Sequence, residues 1–134
     1  MWDYWPNTRS GFRVTIRGYG KVVVIGSVMA HIGGPHALHY VTSKGGLIAL
    51  TRSLARAEGA SGIRVNCAVP GSILTEQRFE EGGKVELGRL VAHQSLQRPG
   101  YPDDIAAACQ FLASAAADFV TGQVLTDDGG WSNY

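Results

Sequence analysis

Residues 22–27 read VVVIGS and give the first strong structural signal in this sequence. A continuous run of β-branched residues is typical of a short strand buried on both faces, and the glycine and serine end the run. A second run of this kind, IRVNCAV, occupies residues 63–69 and is stopped by Pro70 and Gly71. Strands buried on both faces are characteristic of parallel sheets that helices cover on each side.

The segments around these two strands alternate with helices. A glycine-rich loop to about Leu38 precedes a helical pattern from Val41 to Ala55, which a break at residues 59–62 ends. Polar residues mix with glycines over residues 72–100, where a short helix around Val85 to His93 is plausible.

A further helix is predicted to begin at Pro102, because proline suits the first helical turn and two aspartates follow it. Apolar residues then recur with helical spacing on one face of this helix. They are Ile105, Ala108, Cys109 and Leu112. The turn at Thr121 leads into a last strand, Gln123 to Thr126.

Strand, helix, strand, helix and strand in this order predict an α/β fold with parallel crossovers. Three strands and two long helices make a thin layer. We therefore expect part of a larger, doubly wound parallel sheet.

Composition excludes several classes of protein. The chain has 134 residues, with 12 Lys+Arg against 11 Asp+Glu and a net charge of +1, so no basic face for nucleic acid is expected. Residues 22–43 lack charged side chains, but histidines, glycines and a proline there argue against a membrane span. Two isolated cysteines, Cys67 and Cys109, suit a reducing cytosol, and we expect a cytoplasmic protein.

Tyr40 and Lys44 are four residues apart at the start of the long helix, so they share one face. An ammonium beside a phenol favours the phenolate, which makes a tyrosine usable as a general acid or base. Ser27 follows a buried strand, at the end of the sheet where α/β proteins place ligand-contacting groups. Taken alone, each of these residues is more often a surface pair or a strand-end cap than a catalytic group.

Two other chemistries fit the sequence poorly. His36 and His39 are three residues apart, but no carboxylate or further ligand follows at a recognised metal-site spacing. A serine hydrolase built on Ser27 lacks the glycine two residues after the nucleophile. We therefore predict no metal site.

An ordered set of motifs resembles the C-terminal half of the short-chain dehydrogenase/reductases. Each motif is weak alone, but their order along the chain is highly specific to that family. The matching segments are residues 20–27 (GKVVVIGS), 40–46 (YVTSKGG), 63–66 (IRVN), 70–75 (PGSILT), 98–106 (RPGYPDDIA), 121–123 (TGQ) and 128–130 (DGG).

The resemblance implies a partial Rossmann-like fold and a redox function. Tyr40 would be the acid/base as a hydride moves between a nicotinamide (NAD or NADP) and a secondary alcohol or ketone. Lys44 would assist Tyr40 and bind the nicotinamide ribose, and Ser27 would position the substrate oxygen. The predicted catalytic residues are thus Ser27, Tyr40 and Lys44. The predicted cofactor-binding residues are Tyr40, Lys44, Pro70, Gly71, Ile73 and Thr75. The predicted pocket residues are those between Ser27 and Tyr40, such as Met29, Ile32 and His36, together with the segment after Thr75.

The sequence departs from the family's pattern at several points. It lacks the glycine-rich turn after a first strand that holds the dinucleotide, and the N-terminal dinucleotide-binding βαβ units. Residues 1–19 are interpreted as an atypical N-terminal segment, and residues 20–134 as the C-terminal half of a Rossmann-type domain. Asp127 also stands where the family usually has an apolar residue.

Two functions remain open at this stage. The chain is either an NAD(P)-dependent oxidoreductase or a truncated, non-catalytic remnant, which is unstable alone or persists as an association module. The expected partners are a small alcohol or ketone substrate and further copies of the same chain, with no nucleic acid and no membrane. The sequence does not decide between NAD and NADP, because the discriminating residues belong to the N-terminal half.

Overall fold

Three parallel strands form the sheet, and the second in sequence lies in the centre. The computed structural model describes residues 18–76 and 84–132. Strand β1 (Gly20–Ile25) pairs with β2 (Ile63–Pro70), and β2 pairs with β3 (Val124–Asp127). The order β1-β2-β3 confirms the predicted α/β fold with parallel crossovers.

Four helices connect and flank these strands in the described part of the chain. They are α1 (Met29–Ile32), α2 (Leu38–Glu58), α3 (Lys84–Val91) and α4 (Pro102–Ala113). Helix α1 lies within the stretch predicted as loop, so that prediction is wrong there: the chain makes one helical turn directly after Val28. The other three helices agree with the predicted positions to within a few residues. Residues 1–17 of the predicted N-terminal segment lie outside the residues that the structure describes.

The core lies on the face of β2 that packs against α2. Alternate residues of a strand point to the same side, and Ile63 and Val65 accordingly contact Ala55 of α2. Further along the same face, Cys67 and Val69 pack with Val28. Burial raises the pKa of the Cys67 thiol, because the thiolate would lose its hydration there.

The opposite face of β2 is held by a buried amide. Asn66 donates a hydrogen bond from Nδ2 to the carbonyl of Val120 at 2.9 Å, and its Oδ1 accepts one from the Gln123 N–H at 3.0 Å. Both partners belong to the segment between α4 and β3. These bonds fix where β3 enters the sheet, and they satisfy a side chain that is 1% exposed.

Candidate active site

Ser27 lies just beyond the end of β1, in a backbone segment that hydrogen bonds hold against β2. The N–H of Gly26 donates to the carbonyl of Ala68 at 2.8 Å, and the N–H of Val28 donates to the carbonyl of Pro70 at 2.9 Å. Ser27 is 7% exposed, and its Oγ accepts a hydrogen bond from the Met29 N–H at 3.3 Å. The hydroxyl is therefore fixed in position while its own proton stays available to another acceptor.

Tyr40 and Lys44 occupy the first two turns of α2, beside the end of β1. The Lys44 Nζ lies 5.6 Å from the centroid of the Tyr40 ring, and it donates a hydrogen bond to the carbonyl of Ile25 at 3.0 Å. That bond ties the start of the helix to the end of the strand. As predicted from their spacing, the ammonium and the phenol ring share one helix face.

Ser27 and Tyr40 both line a cleft of about 340 Å³. Its walls combine polar groups with apolar side chains. They are Ser27, Val28, Met29, Tyr40, Gly71, Ser72, Leu90 and Trp131. Residues from β1, α2 and the end of β2 thus meet at the carboxyl edge of the sheet, where α/β folds place their ligands.

Gly71 is a glycine because the end of β3 lies directly against it. A Cβ at this position would stand 2.5 Å from the Cα of Asp128 and 2.6 Å from its Cβ. The Gly71 N–H also donates to the carbonyl of Asp127 at 2.9 Å. The close approach of the two strand ends forms the floor of the cleft next to Ser72.

The remaining predicted cofactor residues lie outside the cleft walls. Pro70 ends β2 and accepts the Val28 hydrogen bond, Ile73 forms an isolated bridge with Gly100, and Thr75 is exposed. The structure therefore gathers Ser27, Tyr40 and Gly71 around one cleft. Lys44, Pro70, Ile73 and Thr75 are not among its lining residues. Their roles remain predictions.

The predicted pocket residues match the residues that line the cleft only in part. Met29 lines the cleft, whereas Ile32 packs on the core cluster of Val28, and His36 is exposed. Leu90 belongs to the segment after Thr75, which was predicted to shape the pocket, whereas Trp131 was missed. A signal for Trp131 was present, because it follows the last strand at the same carboxyl edge of the sheet.

Asp128 organises the turn that carries Trp131. Its carboxylate accepts hydrogen bonds from the backbone N–H groups of Gly130, Trp131 and Ser132 and from the Ser132 hydroxyl. Burial alone would raise the pKa of Asp128, but these four hydrogen bonds together hold the pKa below its ordinary range. The Trp131 ring also stacks on His93, with 6.1 Å between ring centroids. Trp131, which lines the cleft, is therefore positioned both by its backbone hydrogen bond to Asp128 and by the stacking of its ring on His93.

The described residues contain neither a cluster of metal-ligating side chains nor a membrane-spanning helix. Among residues 18–76 and 84–132, no group of three or more His, Cys, Asp or Glu side chains is placed to hold a metal ion. Within the same residues, no helix is long and apolar enough to cross a membrane.

An ion pair fixes the start of α4, and its removal should be visible by pH titration. Arg98 donates two hydrogen bonds to Asp104, at 2.8 and 2.9 Å, and the Asp104 carboxylate also accepts the Tyr101 N–H. The Arg98 guanidinium, helped by that N–H, lowers the pKa of Asp104 to about 2. In the Arg98→Ala variant we expect this pKa to rise towards the ordinary value of about 4.

The sign of the resulting pH dependence follows from that lowered pKa. The ion pair stabilises the folded chain fully at pH values above about 4, the pKa of Asp104 in the unfolded chain. This stabilisation is lost as the pH falls through about 2, because the unfolded chain takes up the Asp104 proton at a higher pH than the folded chain does. NMR titration of the Asp104 carboxyl carbon measures the shift, with the Asp103 carboxyl as an internal reference. An unchanged Asp104 titration in Arg98→Ala would show that the ion pair does not form in solution.

A family model and individual relatives agree with this fold. A model described as enoyl-(acyl carrier protein) reductase matches residues 8–132, nearly the whole chain. The chain belongs to the short-chain dehydrogenase/reductase family. The match includes residues 8–19 of the segment that the sequence analysis set apart.

Three relatives illustrate the likeness. The L-rhamnose 1-dehydrogenase (NAD(P)(+)) of Azotobacter vinelandii is 40% identical over 112 residues, which cover 83% of this chain and 44% of that protein. The L-tagatose-forming galactitol 2-dehydrogenase of Cereibacter sphaeroides is 37% identical over 132 residues, covering 96% of this chain and 52% of the relative. A gluconate 5-dehydrogenase from Burkholderia cenocepacia, solved with NADP and tartrate, superposes with a TM-score of 0.81 at 34% identity, covering 88% of this chain and 47% of that one.

These alignments also confirm the predicted partial fold. The chain spans about half the length of the curated relatives it matches. It contains about half of the family's Rossmann-type sheet, and the relatives are dehydrogenases.

Proposed function

We propose that this chain carries the proton-transfer half of an NAD(P)-dependent oxidoreductase site for a secondary alcohol or ketone. The observation that carries the proposal is the cleft that Ser27 and Tyr40 both line, with Lys44 over the Tyr40 ring. The family membership supports it, because the relatives are dehydrogenases.

Tyr40 would transfer the proton. Its side chain lies partly exposed on the cleft wall, so a carbonyl oxygen in the cleft can receive the phenolic proton, or an alcohol can lose its proton to the phenolate. The Lys44 ammonium attracts the negative charge that develops on the Tyr40 oxygen when the proton leaves. Tyr40 is therefore the general acid for reduction and the general base for oxidation.

Ser27 would position the reacting oxygen. Its Oγ already accepts the Met29 N–H, so the remaining donor is the hydroxyl proton itself. Donation to a substrate oxygen at the bottom of the cleft would hold that oxygen in front of Tyr40. Because Ser27 is buried and its backbone is held by β2, this orientation needs little reorganisation during the reaction.

The donor set fits the nicotinamide end of a dinucleotide. Lys44 has three ammonium donors, of which Ile25 takes one, and the Tyr40 hydroxyl is a further donor on the same helix face. Such donors suit the hydroxyls of the nicotinamide ribose, and the Pro70–Gly71 corner would border the ring. When bound, the nicotinamide supplies or accepts the hydride. The glycine-rich turn that would hold the pyrophosphate has no counterpart in this sequence.

Binding and turnover by the purified 134-residue chain test this proposal. We expect saturation-transfer NMR to show contact with NADH or NADPH, and nicotinamide absorbance to change with a panel of sugar-like ketones and alcohols. Lys44→Met should weaken cofactor binding at least tenfold. Arg52→Met, an exposed position two turns further along α2, serves as the matched control. Absence of both binding and turnover would contradict the proposal and favour the non-catalytic alternative.

A further inference from the structure

A second, much smaller cavity of about 40 Å³ lies between the ends of β2 and β3 and the start of α4. It is separate from the proposed reaction, although Ser72 borders both cavities. Ile73, Leu96, Gly100 and Gly129 form part of its lining. The polar and charged side chains that complete it are Ser72, Gln94, Arg98, Asp104, Asp127 and Asp128. The volume is enough for an ion or a water molecule and too small for an organic substrate.

Two buried oxygen atoms in this cavity have no hydrogen-bond partner. Ser72 is 4% exposed and Gln94 is 5% exposed, and the Ser72 Oγ and Gln94 Oε1 are both unpaired among the described residues. The amide of Gln94 cannot simply be reversed, because its Nε2 donates to the carbonyl of Arg98 at 3.2 Å. Oε1 is thus held as an acceptor that needs a donor or a cation, and leaving it unpaired is costly.

The charges around the cavity favour a cation. The Asp104 carboxylate is paired with Arg98, and the Asp128 carboxylate is occupied by the turn that follows it. No hydrogen bond from another described residue reaches the Asp127 carboxylate, and burial, with the negative charge of Asp104, raises the pKa of Asp127. Three carboxylates thus face one guanidinium, so the lining carries net negative charge.

We propose that this cavity binds a calcium ion through the Ser72 Oγ, the Gln94 Oε1 and the Asp127 carboxylate. All three are hard oxygen donors of the kinds that Ca²⁺ accepts. Because the cavity has room for the ion alone, its further ligands would be water molecules on the side where the Arg98 side chain is half exposed. Mg²⁺ is less suited, since it requires near-ideal octahedral geometry and gives up its water reluctantly. A neutral water molecule would satisfy the two orphaned oxygens but would leave the negative charge uncompensated.

The site should be weak. A single unpaired carboxylate with two neutral oxygens provides little charge, and calcium sites with few charged ligands bind with Kd values of about 10⁻⁴–10⁻³ M. It also differs from the acid-rich metal clusters that the described residues lack. Asp127, the residue that departs from the family's usual apolar choice, is the lining carboxylate that accepts no hydrogen bond from another described residue.

Calorimetry on the full chain tests the site after treatment with a chelator. We expect one Ca²⁺ per chain with a Kd of about 10⁻⁴–10⁻³ M, and Asp127→Asn should weaken binding at least tenfold. Asp103→Asn is the matched control, because Asp103 lies exposed at the start of α4 and does not line the cavity. Unchanged binding in Asp127→Asn, or no binding at millimolar Ca²⁺, would overturn the proposal in favour of a bound water.

A second measurement on the unmodified chain covers the case in which Asp127→Asn does not fold. Mn²⁺ broadens the NMR signals of nearby amides, and we expect the amides of Ser72, Gln94 and Gly129 to broaden first and to recover when Ca²⁺ is added. Broadening that instead spreads over exposed carboxylates elsewhere would overturn the assignment. Neither measurement depends on oxidoreductase activity, so this site and the proposed function can fail independently.

Discussion

Replacing Tyr40 by phenylalanine is expected to lower kcat of the proposed reaction by a factor of about 10²–10⁴, the usual contribution of a general acid or base. The substitution removes one hydroxyl and keeps the ring that Lys44 approaches at 5.6 Å. The packing of α2 against the end of β1 should therefore persist, and the loss should fall on proton transfer. Nicotinamide absorbance during turnover of a ketone measures it.

Tyr101→Phe is the matched control for this experiment. Tyr101 is also exposed and also lies at the start of a helix, but it does not line the cleft. It should keep full activity. If Tyr40→Phe turned over at the rate of the unmodified chain, the proton would have to come from another group, and the assigned role of Tyr40 would be wrong.

Replacing Gly71 by alanine should lower the free energy of unfolding by about 3 kcal/mol, the upper end of the usual range for overpacking. The new methyl group would stand 2.5 Å from the Cα of Asp128, so backbone must move and no side chain can simply rotate away. The displaced strand end carries the turn that holds Trp131. Chemical denaturation followed by circular dichroism measures the loss.

Gly46→Ala provides the control for this second experiment. Gly46 lies within α2, and a Cβ there would meet no atom within 4 Å. Alanine is the better helix former, so this variant should gain about 0.5–1 kcal/mol. A Gly71→Ala protein as stable as the unmodified chain would mean that β2 and β3 do not approach as closely in solution.

The strands and long helices could be predicted because their signals are local. The apolar run of β1 and the proline-aspartate start of α4 need no knowledge of distant residues, and both elements form where expected. Helix α1 escaped prediction because it has four residues, too few to show a 3.6-residue period. Its formation depends on the Val28 N–H being anchored to Pro70.

The candidate site likewise contains residues that local geometry brings together and residues that only the tertiary fold brings together. Tyr40 and Lys44 are one helical turn apart, so helix geometry alone puts them together. Leu90 and Trp131 reach the cleft from segments more than 60 residues away from Ser27 in sequence. The position of Trp131 after the last strand indicates the correct edge of the sheet, but no local pattern specifies that either side chain reaches the cleft. The orphaned oxygens of Ser72 and Gln94 could not be inferred from the sequence for the same reason.

The sequence by itself determined the α/β class, the strand that ends just before Ser27 and the helix face shared by Tyr40 and Lys44, because periodicity and turn residues act over a few positions. Only the tertiary structure decided that the ends of β1, β2 and β3 meet, that Trp131 closes one wall, and that Ser72 and Gln94 border a second cavity. Those arrangements depend on parallel pairing between strands separated by helical crossovers. Their register is set by packing across the whole sheet and not by neighbours along the chain.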